Sequence, residues 1–268
     1  MPIKKDGTGK RWVEMEVLLP GTPEQVWQAV ATGDGYTAWF TRATIEERAG
    51  GALRFHFGPD MPSSGEVTVW EPPHRFGYVE TEWQEGAPPV DTEIVLTGRT
   101  GGGCVMRMVH WMVTQSDEWD DQMESFEKGW PGYYDVLRIY LAHFAGQKAA
   151  SFNAVVRLDG EQLPIWRKLT ETLGLAGANV GERRSMTGLQ ETFAGTVERI
   201  QQEATMRTML LRLDRPAPGV ALTGTYGSGP KVSASMSAFF YGDDAEEKAA
   251  AGETLWREWF ARTFSDSA

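Results

Sequence analysis

Between residues 45 and 113 the chain runs through short stretches in which apolar and polar residues alternate, separated by turn-forming residues. A period of two puts every second side chain on one face of a pleated strand, and short connections pair each strand with its neighbour in sequence. Gly50-Gly51, Pro72-Pro73 and Gly101-Gly102-Gly103 punctuate strands over 53–57, 65–71, 76–83, 92–97 and 104–113. The pattern predicts an antiparallel meander.

What flanks the meander narrows the architecture further. Residues 12–19 alternate as a first strand, ended by Pro20 and Gly21. Thr22-Pro23-Glu24-Gln25 then reads as a helix start, with Thr22 as cap, Pro23 at the first helical position and Gln25 closing a capping box. Val26, Trp27 and Val30 give that helix an apolar face, and Trp39-Phe40 begin a second short apolar element. After the meander, 116–128 reads as a short acidic helix that Gly129-Trp130-Pro131 breaks. Pro131 then starts a long helix over 133–144, whose apolar residues Tyr133, Tyr134, Leu137, Tyr140, Leu141 and Phe144 recur at helical spacing. The expected fold is α+β, a curved antiparallel sheet wrapped around a long C-terminal helix.

Residues 146–151 read as a linker, and beyond them the order repeats more faintly. A strand over 152–158 is followed by a helix that opens at Leu163 and stops at Gly174. Strands over 193–200, 205–213, 220–226 and 232–240 precede a closing helix over 246–264. The expectation is two tandem domains, 1–147 and 148–268, the second a degenerate copy of the first.

Composition limits what such a chain does. A formal charge of -11 with no basic cluster disfavours nucleic acid and anionic membranes. No apolar run reaches the length of a membrane span, and the charged N-terminus leads into no signal-peptide core, so the expected setting is cytoplasmic. Cys104 is the sole cysteine, which excludes an intrachain disulfide and a cysteine-rich zinc site.

Several elements of the first half also occur, in this order, in a known group. They are Thr22-Pro23-Glu24-Gln25-Val26-Trp27, Trp39, Gly50-Gly51, Gly65-Glu66-Val67, Glu71-Pro72-Pro73, Trp83, Thr92, the strand through His110, and Gly129-Trp130. Over about residues 10–145 the chain resembles the activator of heat-shock-protein-90 ATPase homologue-like family, within the START-like, helix-grip superfamily. That superfamily also holds polyketide cyclases, lipid-transfer domains and the birch-pollen allergen. The resemblance implies a helix-grip fold and a cavity rather than one activity. The second half carries neither a Gly-Trp pair before its last helix nor a counterpart of His110.

The candidate ligand-binding residues follow the expected cavity wall: Trp39; Leu53, Phe55 and Phe57; Phe76 and Tyr78; Met106, Met108, His110 and Met112; and Trp130, Tyr134 and Leu137. Cys104, Met106, Met108, His110 and Met112 share one strand face, and a row of adaptable methionines suits irregular apolar ligands. The alternative for this row is a methionine-rich core with no cavity. Nothing in the sequence sets a carboxylate or nucleophile beside His110, so no catalytic residue is assigned. His56, His74 and His143 lie on separate elements, and neither a metal nor a cofactor is called for. Cys104 is expected to be buried and inert, and the acidic run over 117–127 to form a solvated helix face. The function expected is noncatalytic binding of a small hydrophobic molecule. The alternatives are a protein-interaction module, including a chaperone cofactor with a protein partner, and an enzyme of the cyclase or hydrolase kind. The last requires further titratable groups converging on His110.

Overall fold

The computed structural model describes residues 3–57, 62–227 and 230–265, and the chain divides into two units, Met1–Gly146 and Gln147–Ala268. In the first, β1 (Lys4–Lys5) and β2 (Lys10–Pro20) lead into α1 (Pro23–Ala31) and α2 (Gly33–Thr37). The meander follows as β3 (Arg42–Ile45), β4 (Ala52–His56), β5 (Pro62–Glu71), β6 (Arg75–Glu82), β7 (Val90–Arg99) and β8 (Gly103–Val113). A 3-10 turn at Asp117–Trp119 then opens α3 (Asp120–His143). The strands form one antiparallel sheet in the order β1-β2-β8-β7-β6-β5-β4-β3, so the first long strand lies beside the last.

The helix start at Thr22 is built as its sequence dictates. The Thr22 hydroxyl accepts from the Gln25 backbone N–H at 3.4 Å, and the Gln25 amide oxygen accepts from the Thr22 N–H at 2.9 Å. At Gly65 the register against β6 shifts, and a Cβ there would lie 1.9 Å from the Val79 carbonyl oxygen. Only glycine admits so close an approach, and the shift bends β5 along the wall opposite Glu80.

The segment after the meander departs from the sequence expectation. One continuous helix spans Asp120–His143 with Pro131 inside it, where a break at Gly129-Trp130-Pro131 is expected. An interior proline costs about 3 kcal/mol in an isolated helix. Here Met123, Trp130, Tyr134, Val136 and Leu137 are all buried on either side of it, so packing along the sheet outweighs the local penalty. Nor is the acidic run simply a solvated face. The buried Arg11 guanidinium reaches Asp117 and Asp120, each at 2.9 Å, and Lys5 reaches the same two carboxylates, fastening the start of α3 to the sheet.

The second unit repeats the plan with β9 (Ala149–Asp159), α4 (Gln162–Thr172), β10 (Arg183–Ser185), β11 (Ala194–Gln202), β12 (Met206–Arg215), β13 (Gly219–Tyr226), β14 (Lys231–Tyr241) and α5 (Ala245–Thr263). Its sheet order is β10-β11-β12-β13-β14-β9, again placing the first long strand beside the last. Helix α5 packs on β9 and β14, as α3 packs on β2. The chain is therefore a tandem pair of helix-grip units. Phe152, Trp166, Phe193, Phe240, Trp256, Trp259 and Phe260 pack into the core of the second. No helix among the described residues is long and apolar enough to cross a membrane.

Candidate functional site

Strand register sets the floor of the site. Tyr78 pairs with Thr92, Thr92 with His110, and His110 with Val13, giving one row across β6, β7, β8 and β2. Directly paired residues share a face. The row therefore places a phenol, a hydroxyl and an imidazole side by side beneath α3. His110 Nδ1 and Thr92 Oγ1 are 2.7 Å apart, with the donor set by the imidazole tautomer. From above, the Trp130 indole stacks on the imidazole at a centroid distance of 5.4 Å.

Beside this row lies a cavity of about 680 Å³, contained in the first unit. Phe55, Phe57, Tyr78, Val90 and His110 contribute sheet side chains to its wall, and Gly129, Trp130 and Tyr133 contribute from α3. Phe40 reaches in from the segment after α2, stacked on Trp130 at 4.7 Å and meeting Tyr133 edge-on at 4.9 Å. The end of β6 and the connection that follows it, residues 81–87, form the rim. Trp83 braces that connection by donating its indole N–H to the Pro88 carbonyl at 2.8 Å.

Two ionisable groups in the wall are displaced in ways that burial explains. The His110 imidazole is held down at about 3, because burial penalises the imidazolium, so it is neutral at physiological pH. The Glu80 carboxyl is pushed up to about 7, again chiefly by burial; the Ser63 hydroxyl, donating to Oε1 at 2.5 Å, opposes the shift. Tyr78 is also raised by burial. Among the described residues, no lysine or arginine lines the cavity.

The structure brings together only part of the expected wall. Phe55, Phe57, Tyr78, His110 and Trp130 line the cavity. Trp39, Leu53, Phe76, Met106, Met108, Met112, Tyr134 and Leu137 are buried in packing around it instead. Trp39 donates its indole N–H to the Ala29 carbonyl at 2.8 Å, and Phe76 meets Trp27 of α1 edge-on. The methionine row is largely core: Tyr134 donates to Met108 Sδ at 3.2 Å, and Met112 packs with Val13, Val90 and Met123. Of that strand face only His110 reaches the cavity, because α3 seals the positions on either side. Cys104 is buried, and burial raises its thiol.

Sequence reasoning misses Phe40, Ser63, Glu80, Trp83 and Tyr133. Glu80 alone leaves a readable signal, since alternation from Phe76 through Tyr78 carries a carboxylate onto the apolar face. The others depend on how separate elements converge.

The family described as Activator of Hsp90 ATPase homolog 1-like protein matches residues 20–142. Among solved structures, DynU16 from the dynemicin biosynthetic locus is 19% identical over 94% of each chain, with a TM-score of 0.44. The di-domain ARO/CYC BexL from the BE-7585A biosynthetic pathway is 13% identical over 94% of this chain and 93% of its own, with a TM-score of 0.44. CalU16 from Micromonospora echinospora is 20% identical over 53% of this chain and 83% of its own, with a TM-score of 0.43. No curated protein matches the chain.

Proposed function

Residues 20–142 match the family described as Activator of Hsp90 ATPase homolog 1-like protein, and on that premise we propose that the first unit binds a small hydrophobic molecule without transforming it. One observation carries the proposal: a cavity of about 680 Å³ between sheet and helix, walled by the rings of Phe40, Phe55, Phe57, Tyr78, Trp130 and Tyr133. That size is typical of small-molecule sites. Each 100 Å² of apolar ligand surface taken from water there is worth roughly 2.5 kcal/mol before ordering costs.

Native mass spectrometry of freshly purified full-length protein, with calorimetric titration of naphthyl alcohols, tests this function. A copurified small molecule or saturable one-to-one binding is expected. Absence of both overturns it.

A second reading, an enzyme of the cyclase or hydrolase kind, is favoured by one specific observation. Glu80 and Tyr78 share the cavity wall with His110, which is the convergence of titratable groups that acid–base chemistry needs. Incubating a recovered ligand with fresh protein separates the two: an unchanged mass supports binding alone, and a changed mass supports turnover. A protein-interaction module would call for a contiguous apolar patch. The large apolar side chains exposed among the described residues are Leu18, Val113, Val155, Leu163 and Val180, each on a different segment.

A further inference from the structure

We propose that the molecule held in this cavity is a lipophilic amine, an apolar body whose protonated amino group pairs with the Glu80 carboxylate. This rests on the binding function above and adds the charge of the ligand.

The wall carries one acidic side chain in its interior and, among the described lining residues, no lysine or arginine. Glu80 lies in it, and Ser63 supplies one donor to a carboxylate that has room for several. Elsewhere in the wall the rings of Phe40, Trp130 and Tyr133 pack on one another and supply apolar surface for the body of the ligand. No lysine or arginine among the described lining residues competes for Glu80, and His110 is neutral. An anionic ligand would meet a like charge in a weakly screened setting, and a neutral one would gain no ion pair. An ammonium group gives Glu80 a counter-ion while its apolar body lies against the rings. Glu82 and Glu85 at the rim carry the same sign, so approach also favours a cation.

Isothermal titration of the full chain at pH 8 with 2-naphthaleneethylamine, 2-naphthaleneethanol and 2-naphthaleneacetic acid tests this. These probes share one apolar body and differ in charge. The amine is expected to bind about tenfold more tightly than the alcohol, the increment of a single favourable ion pair, and the acid most weakly. In Glu80→Gln the amine-to-alcohol ratio is expected to fall close to one. If the alcohol or the acid equals or exceeds the amine in the parent protein, the amine assignment is overturned. If Glu80→Gln keeps the parent's ratio, the assignment to Glu80 is overturned. If none of the three probes binds and no small molecule copurifies, the cavity-binding function itself fails. The order of the three probes in the parent protein decides the ligand's charge even if the variant does not fold.

Discussion

The His110 imidazole lies nearly parallel to the Trp130 indole, their centroids 5.4 Å apart and their planes 15° from parallel. This contact joins the middle of the sheet to the middle of α3 at the wall of the cavity. Trp130 continues the stack to Tyr134 at 5.6 Å and to Phe40 at 4.7 Å. Truncating this ring removes the contact from which the cavity wall is organised.

Trp130→Ala is accordingly expected to destabilise the first unit by about 3–5 kcal/mol, the usual cost of deleting a buried large aromatic. Trp130→Phe keeps part of the stack and is expected to lose less. Denaturant unfolding of the full chain, followed by signals assigned to each unit, reads the difference. Parent-like stability in Trp130→Ala would show that the stack is not what joins helix to sheet.

His110 makes stability depend on acid. Its folded value of about 3 lies below the 6.5 of an exposed imidazole, so the folded state resists the proton that the unfolded chain accepts. The corresponding stability is complete above pH 6.5 and is lost as pH falls from there toward 3. His110→Gln is expected to flatten this slope, as measured by urea midpoints across that window.

Glu80 works with the opposite sign. Its folded value of about 7 lies above the 4.5 of an exposed carboxyl, so the folded state holds its proton more tightly. The stability this contributes is complete below pH 4.5 and is lost as pH rises through 7. Glu80→Gln, neutral at every pH, is expected to remove that decline and to exceed the parent at pH 8 by as much as roughly 3 kcal/mol. Urea midpoints at pH 5 and pH 8 check both the slope and the crossover.

The two grip helices make contrasting demands at glycine. A Cβ at Gly129 in α3 would meet nothing within 4 Å, whereas one at Gly252 in α5 would lie 2.5 Å from Cε1 of the buried Phe152 ring. Gly129→Ala is therefore expected to stabilise the first unit by about 0.5–1 kcal/mol through helix propensity. Gly252→Ala is expected to destabilise the second by about 1–3 kcal/mol through overpacking. Gly129→Leu, which projects into the cavity, is expected to weaken binding of naphthyl alcohols while the protein stays folded. Thermal unfolding and calorimetric titration read these effects.

Local sequence determined the elements and their order. Alternation in 53–57 and 104–113, the capping residues Thr22 and Gln25, and the glycine and proline punctuation act over a few residues, so their consequences can be read without knowing the rest of the chain. The tandem plan was legible for the same reason, because each copy repeats that order. Tertiary structure decided where a local signal was outweighed or silent. Pro131 reads as a break, yet buried side chains on both sides hold α3 continuous through it. The methionine row reads as a cavity wall, yet α3 covers Met108 and Met112 and leaves only His110 at the opening. Phe40, Ser63, Glu80 and Trp130 meet at one wall from three separate elements and the segment after α2. Periodicity assigns a side chain to a face; whether that face meets a ring, a helix or open space depends on packing between elements distant in the chain.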